Sequence, residues 1–155
     1  MPQLAPGDVA PDFTLPTADG AQISLSGLHG RTVVIFFFPA AMTPGCTREA
    51  WDFESFHGSL AADGYQVIGV SPDSPERLAE FAASESLTYP LASDVDRTVL
   101  TAYGAFGEKS LYGKVVTGVI RSTVVVDPDG RVALAQYNVR ATGHVDRLRR
   151  ELGVA

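Results

Sequence analysis

One uninterrupted apolar run constrains the fold more than any other feature of the sequence. Residues 32–38 read Thr-Val-Val-Ile-Phe-Phe-Phe, a stretch of strand length made of β-branched and aromatic residues. Because apolar and polar side chains do not alternate in it, such a strand must be covered on both faces. The chain of 155 residues is long enough to supply that cover without a disulfide or a metal. We therefore predict a single domain, 1–155, with this run as its central strand.

Alternating helix and strand patterns follow the central strand. Apolar residues recur at helical spacing over 47–63, and Gly64 is placed to end that helix. Residues 65–70 predict a second strand, and Ser74 followed by proline predicts the start of a helix over 75–86. This order is typical of a sheet that carries helices on its faces.

The rest of the chain completes an α/β pattern. It predicts a short helix over 95–103, a loop-rich connection over 104–118, a third buried strand over 119–126, its hairpin partner over 131–137, and a last helix that opens at Thr142 and Gly143. Near the start, Asp19-Gly20 lies between two short alternating runs, which predicts a β-hairpin. The predicted fold class is α/β, with a central mixed β-sheet flanked by helices and an N-terminal β-hairpin extension.

Composition and charge exclude several classes of protein. The chain has 45% hydrophobic and 19% charged residues, which is ordinary for a folded domain, and a net charge of -6 argues against a nucleic-acid partner. The N-terminus lacks the basic start and apolar core of a signal peptide. The longest apolar stretch, 33–42, is about half of the roughly 20 residues that a membrane helix needs. We predict a cytoplasmic protein with no membrane partner.

The only cysteine, Cys46, follows the central strand at the start of the next helix. A single cysteine excludes an intramolecular disulfide and a cysteine-based zinc cluster, and most free cysteines are small buried hydrophobic residues. The position favours chemistry instead, because open α/β sheets bind ligands at the carboxyl ends of their strands. Thr43 is placed to cap the helix and Pro44 to occupy its first position, so the helix N-terminus would favour the thiolate form of Cys46.

Other cysteine and metal chemistries lack the residues that they need. A thioredoxin-type disulfide exchanger needs a cysteine where Thr43 stands, and a cysteine phosphatase needs an arginine where Asp52 stands. No histidine lies in a protease motif, and the sequence contains no metal-ligand or phosphate-binding motif. We therefore predict neither a metal nor a cofactor.

Several segments together resemble one family. The spacing Pro39-x-x-x-Thr43-x-x-Cys46 looks like the peroxidatic motif of the peroxiredoxins, and residues 44–50 resemble the bacterioferritin comigratory protein, or Q-type, branch. Similarity also extends over three further segments, 7–15, 69–73 and 118–123. The resemblance implies a thioredoxin-like fold, thiol-dependent reduction of hydrogen peroxide and organic hydroperoxides, and a monomer.

The resemblance also implies roles for the motif residues. Cys46 would be the peroxidatic nucleophile, which attacks the terminal peroxide oxygen and becomes a sulfenic acid. Thr43 would hydrogen-bond the thiolate and the peroxide. Pro39 would shield the sulfur and shape the pocket, and Gly45 would support that pocket.

The resemblance makes Arg121 the charge partner of the cysteine. The apolar pattern places it in the middle of the predicted strand 119–126, where an arginine needs an anionic partner or an exposed strand face. Glu49 would either orient this arginine or lie in solvent as a carboxylate at a helix start.

Trp51 stands where many relatives carry a second, resolving cysteine. The sulfenic acid could therefore not close an intramolecular disulfide, and an external thiol would have to reduce it. The candidate reductants are thioredoxin, glutaredoxin with glutathione, and a mycothiol-type system. Trp51 itself is interpreted either as helix packing or as part of a surface that docks a partner.

Two other functions stay open at the level of the sequence. A redox sensor would use Cys46 to register peroxide and pass the oxidation to a partner protein, with little turnover. A binding domain without a redox role would leave Cys46 unreactive toward peroxide.

Overall fold

The computed structural model describes residues 3–28, 30–62, 64–111, 113–139 and 143–152. Its strands are β1 (Thr14–Pro16), β2 (Gln22–Ser24), β3 (Thr32–Phe37), β4 (Tyr65–Ser71), β5 (Leu91–Ser93), β6 (Phe106–Leu111), β7 (Lys114–Val119), β8 (Ser122–Val126) and β9 (Val132–Gln136). Its helices are α1 (Pro44–Ala62), α2 (Pro75–Glu85), α3 (Thr98–Ala102) and α4 (His144–Leu152), with a 3-10 turn at Ser26–Leu28.

The predicted central strand is β3, the middle strand of a five-stranded sheet with the order β5-β4-β3-β8-β9. β4 runs parallel to β3 and β5 runs parallel to β4, whereas β8 is antiparallel to β3 and β9 is antiparallel to β8. The sheet is therefore mixed, as predicted from the order of helices and strands.

Alternate residues of β3 belong to two different cores. Ile35 and Phe37 pack on one face with residues of the N-terminal segment, such as Phe13. Phe36 packs on the other face, where Phe53 of α1 stacks against it with ring centroids 4.3 Å apart. Both faces of the strand are thus covered by apolar layers, which is why its sequence does not alternate.

The N-terminal segment crosses one face of the central sheet. β1 and β2 form the predicted antiparallel hairpin. Upstream of the hairpin, Val9 forms an isolated bridge with Arg131, next to β9, and Thr17 in the hairpin forms one with Ala92 of β5. Because β9 and β5 are the two edges of the sheet, residues 9–17 span its full width.

The connection over 104–118, predicted to be rich in loops, contains a second hairpin. β6 and β7 pair as antiparallel strands along their whole length. The segment contains four glycines, at 104, 107, 113 and 118, which are typical of loops. However, only Gly113 lies at the turn, with a φ of +78°, whereas Gly107 and Gly118 face each other within the ladder.

Residues 119–126 do not form one continuous strand, so that prediction was wrong. β7 ends at Val119, and β8 begins at Ser122. The chain passes from the two-stranded hairpin to the central sheet between these strands. Val119 at the end of β7 and all residues of β8 are buried, so the buried, mostly apolar pattern runs across the break and hydropathy alone does not reveal it.

Three other boundaries differ from the predictions or fall outside the described residues. The helix predicted over 95–103 is limited to α3, and the three-residue strand β5 was too short to predict from its pattern. The predicted opening of the last helix at Thr142 lies outside the described residues, and α4 begins at His144. Within the described residues, none of the helices combines the length and the apolar character needed to cross a membrane.

Candidate active site

Cys46 lies where the central strand gives way to α1. The N–H of Phe38 donates to the carbonyl of Val70 at 3.0 Å, which continues the ladder for one residue beyond β3. The loop then leads through Met42, which has a left-handed φ of 66°. The carbonyl of Thr43 accepts from the N–H of Thr47 at 2.9 Å, so Cys46 falls in the first turn of the helix.

The loop before α1 is fixed by a carboxylate from the neighbouring strand end. Asp73, which follows β4, accepts from the N–H of Ala41 at 2.7 Å and from the hydroxyl of Ser71 at 2.8 Å. Its other oxygen lies 3.3 Å from Nε of Arg77. Asp73 was not among the predicted site residues. The available signal was a carboxylate directly after a buried strand, at the edge where parallel strands end.

Arg121 links the cysteine to a buried carboxylate. Its Nη2 lies 3.3 Å from Sγ of Cys46, and its Nη1 donates to Oε1 of Glu49 at 2.7 Å. The side chain of Arg121 is 16% exposed, and Cys46 is only 1% exposed. Glu49 follows Cys46 by three positions, so both side chains lie on the same face of α1. One guanidinium therefore contacts both groups.

The burial of Glu49 affects its protonation. Desolvation raises the pKa of Glu49 from its ordinary 4.5 to about 7, against the lowering effect of the Arg121 guanidinium. Oε2 of Glu49 is buried and has no hydrogen-bond partner among the described residues. Burial acts to lower the pKa of Arg121, but Glu49 and Cys46 outweigh it and the pKa is raised. The guanidinium therefore stays charged within the site.

Arg121 reaches the cysteine because of the sheet topology. It immediately precedes β8, and the first residue of that strand, Ser122, pairs with Phe37 at the end of β3. The start of β8 and the end of β3 therefore lie side by side, at the end of the sheet where α1 begins. The predicted position in the middle of a strand was wrong, whereas the predicted proximity of an anion matches the observed contacts.

The other predicted motif residues surround this pair. The hydroxyl of Thr43 is exposed and donates to the carbonyl of Ala40 at 2.9 Å. Gly45 is half-buried in the first turn of α1. Pro39 lines a groove of about 430 Å³ together with residues of β6 and β7.

Trp51 lies on the opposite, solvent side of α1. It is 51% exposed, and its indole N–H donates to Oε1 of Glu85 in α2 at 2.7 Å. This contact connects the two helices and leaves much of the ring exposed. Among the described residues, no three side chains of the metal-ligating types are grouped so that they could hold a metal ion.

A buried histidine, His144, lies near the start of β8 and was not among the predicted site residues. Nε2 of His144 lies 2.7 Å from Oγ1 of Thr123, which follows Arg121 by two positions in the chain. Burial lowers the pKa of His144 to about 4, with further lowering by Arg147 and Arg121. The imidazole is therefore neutral at physiological pH. No sequence signal could have found it, because it carries no motif.

Comparison with known proteins agrees with this geometry. The model of the AhpC/TSA family matches residues 6–135. A peroxiredoxin of Mycobacterium tuberculosis H37Rv is 59% identical over 152 residues, which cover 98% of this chain and 97% of the relative. Peroxiredoxin Bcp of Escherichia coli K12 is 39% identical over 146 residues, with 94% of each chain covered.

Solved structures show the same fold. Bacterioferritin comigratory protein of Xanthomonas campestris, described for its alkyl peroxide reduction activity, aligns with a TM-score of 0.87 at 34% identity, covering 97% of this chain and 96% of the other. Peroxidoxin BcpB of Mycobacterium tuberculosis aligns with a TM-score of 0.84 at 35% identity, covering 97% of each chain.

A thioredoxin-like fold with a buried cysteine at the start of a helix, paired with an arginine, defines a thiol-dependent peroxidase. The chain belongs to the AhpC/TSA family and is a peroxiredoxin of the Bcp, or Q-type, branch. The family, the fold and the enzyme class predicted from the sequence are confirmed. The roles of the individual residues remain proposals.

Proposed function

We propose that this peroxiredoxin reduces hydrogen peroxide and organic hydroperoxides through a sulfenic acid on Cys46. The observation that carries the proposal is the 3.3 Å contact between Nη2 of Arg121 and Sγ of Cys46. A positively charged guanidinium at this distance is electrostatically complementary to a thiolate, and the thiolate is the form of cysteine that attacks peroxides.

In the first half of the cycle, the Cys46 thiolate attacks the terminal oxygen of the hydroperoxide. The S–O bond forms as the O–O bond breaks, and the departing alkoxide takes up a proton to leave as the alcohol, or as water when hydrogen peroxide is the substrate. Arg121 would stabilise the negative charge as it moves from sulfur to the leaving oxygen. Thr43 and Pro39 would bind and enclose the peroxide, and Gly45 would support their loop.

Glu49 would act as a positioning residue. Its carboxylate accepts from Nη1 of Arg121 at 2.7 Å, while Nη2 of the same guanidinium faces the sulfur. A planar guanidinium held on one side by a carboxylate presents its remaining N–H groups in a fixed direction. Glu49 would therefore act on Cys46 through Arg121.

In the second half of the cycle, an external thiol attacks the sulfur of the sulfenic acid and releases water. The mixed disulfide that results is cleaved by a second thiol, which frees Cys46 and yields the oxidised reductant. The chain has one cysteine, so it cannot resolve the sulfenic acid by itself. Thioredoxin, glutaredoxin with glutathione, and a mycothiol-type system are the proposed alternatives for this reductant. A monomer and a cytoplasmic location remain predictions.

The test is peroxide consumption by the wild type with each of the three reductants, together with mass spectrometry of Cys46. We expect multiple turnovers with at least one reductant and the addition of one oxygen atom to Cys46 when thiol is absent. Cys46→Ser should abolish both effects. A matched variant, Cys46→Ser with Ser55→Cys, carries its thiol on the exposed side of the same helix and should also be inactive.

Two outcomes would contradict the proposal. Full turnover by Cys46→Ser would place the chemistry elsewhere. Stoichiometric oxidation of Cys46 without turnover, under all three reductants, would instead favour the sensor that passes oxidation to a partner protein.

A further inference from the structure

A groove beside the Cys46 loop is much larger than hydrogen peroxide requires. Its volume is about 430 Å³, within the range of sites that bind organic molecules. Its apolar walls come from the ends of β3 and β4 and from the second hairpin. These wall residues are Pro39, Pro72, Phe106 and Val119.

A lysine with no acidic partner among the described residues lines this groove. The Nζ of Lys109 donates to the carbonyl of Val119 at 2.6 Å. Its stem crosses Gly118, where a Cβ would lie 3.6 Å from Cε of the lysine. An ammonium group has three N–H donors, so the bond to Val119 leaves donors for a ligand. Among the described residues, Lys109 takes part in no ion pair.

Arg97 supplies a second cation at the same groove. Its guanidinium carbon lies 5.6 Å from the ring centroid of Phe106, and its Nη1 donates to the carbonyl of Val95 at 3.3 Å. The neighbouring carboxylate of Asp96 accepts from the N–H of Thr98 at 3.2 Å. Arg97 has a left-handed φ of 63°, a conformation that is costly for arginine and is often found at functional sites.

The charge of the groove contrasts with the charge of the chain. The chain has 18 acidic and 12 basic residues, yet the described residues that line the groove include two cations and no carboxylate. Two cations that line a groove with partly apolar walls complement an organic anion.

We propose that this groove binds the carboxylate of an organic reactant of Cys46. Arg97 and Lys109 receive the carboxylate, and the apolar walls receive the rest of the molecule. The groove adjoins the catalytic centre, because Pro39 belongs to both and Val119 precedes Arg121 by two positions, about 7 Å of extended chain. The inference rests on the proposed function, since it assigns a reactant to the same cysteine.

A carboxylate could belong to either of the two reactants. An organic hydroperoxide acid would use the subsite in the first half of the cycle. A small thiol acid would use it in the second half, when it reduces the sulfenic acid. The chemistry that Arg97 and Lys109 recognise is the same in both cases, so kinetics must separate them.

The experiment compares acids with their methyl esters in two separate arms. The first arm measures the rate of Cys46 oxidation by linoleic acid hydroperoxide and by its methyl ester. The second arm measures the rate at which 3-mercaptopropionate and its methyl ester reduce the preformed sulfenic acid. The proteins are the wild type, the double variant Arg97→Gln/Lys109→Met, and the control Lys114→Met, which removes an exposed lysine from the same hairpin.

We expect the double variant to lose about tenfold in rate with the acid in one arm, and to keep the wild-type rates with the ester and with hydrogen peroxide. The arm that responds identifies the reactant. The control should match the wild type throughout. Equal effects of the double substitution on acid and ester in both arms would overturn the inference.

A binding measurement makes the test independent of peroxidase activity. Calorimetric titration with octanoate, which carries no reactive group, should show binding to the wild type and to Lys114→Met, and none to the double variant. Equal octanoate binding by the wild type and the double variant would overturn the proposed subsite. A failure to reduce hydrogen peroxide would instead overturn the proposed function and would leave the octanoate result to decide the subsite.

Discussion

At the scale of single residues, Arg121 determines the electrostatics of the site. It has a buried carboxyl on one side and the sulfur on the other, at 2.7 and 3.3 Å. Burial of the carboxyl is costly, and the cost appears as the raised pKa of Glu49. Ionisation of this buried carboxyl next to Cys46 therefore reduces the stability of the fold as the pH rises toward 7.

A pH dependence of stability follows from Glu49. Its pKa is about 7 in the folded chain and ordinarily 4.5, so the folded state binds more protons between these values. The free energy of unfolding should therefore fall, by about 3 kcal/mol, as the pH rises from 4.5 to 7. Glu49→Gln should lack this fall. Urea unfolding at a series of pH values measures it.

The control for this prediction is Glu80→Gln, which removes an exposed carboxylate from α2. Its stability should follow the wild-type pH dependence. Parallel curves for the wild type and Glu49→Gln would show that Glu49 does not titrate in this range.

A second prediction concerns the geometry of the guanidinium. Arg121→Lys keeps the positive charge but loses the planar group that contacts Glu49 and Cys46 together. We expect the second-order rate of Cys46 oxidation to fall by about 100-fold, as is typical when one donor to a reacting group is removed. Fluorescence of Trp51, the only tryptophan, follows the oxidation.

Arg131→Lys provides the matched control for this substitution, because that exposed arginine donates to the carbonyl of Gly7, far from the sulfur in the fold. Its oxidation rate should be unchanged. An unchanged rate in Arg121→Lys would mean that charge alone suffices.

At this scale the short motif identified the cysteine, whereas Arg121 was assigned as its partner only through the family resemblance. Cys46 and Pro39 lie in one short motif, so their spacing along the chain was sufficient to predict both as site residues. The contact of Arg121 with Glu49 spans 72 positions and depends on the pairing of β8 with β3. No local pattern contains that information, and Glu49 could equally have been a solvated carboxylate.

At the scale of elements, the loop before α1 depends on the end of β4. Asp73→Ala should leave the N–H of Ala41 without its acceptor and so loosen the loop that carries the motif. We expect about a tenfold slower oxidation of Cys46, with part of the rate restored in Asp73→Asn, whose amide oxygen still accepts. Faster hydrogen exchange at Ala41 would identify the cause.

Asp52→Ala is the comparison variant for Asp73→Ala. It removes a partly exposed carboxylate of α1, which lies 3.3 Å from Nε of the exposed Arg48 one turn earlier in the helix. An ion pair at the surface contributes little to stability, so the rate of Cys46 oxidation in Asp52→Ala should stay near that of the wild type. If both variants slow the reaction equally, the loop contact has no special role.

The elements that the sequence missed share a physical reason. β5 is only three residues long, and β6 and β7 contain glycines that are typical of loops. Their strand conformation comes from pairing with a neighbour rather than from their own composition. The long helices and β3 were predictable because periodicity and apolar runs are local properties.

At the scale of the whole molecule, the N-terminal segment acts as one layer of the structure. Phe13→Ala should destabilise the fold by about 3 to 5 kcal/mol, because Phe13 is buried against the sheet and packs edge-on against Tyr103. Val9→Ala, at a 67% exposed position of the same segment, should change stability by less than about 0.5 kcal/mol. Urea unfolding measures both changes in stability. Equal losses in the two variants would show that burial of Phe13 against the sheet does not stabilise the fold.

The crossing of the sheet by this segment also sets an order of events during synthesis. The N–H of Gly7 donates to the carbonyl of Val132, and the N–H of Ala10 donates to that of Gly130. Residues made early on the ribosome therefore cannot dock until residues near position 130 have emerged. Until then the N-terminal segment cannot complete its contacts at the β9 edge, so apolar surface of the growing sheet stays exposed for longer, and exposed apolar surface favours aggregation.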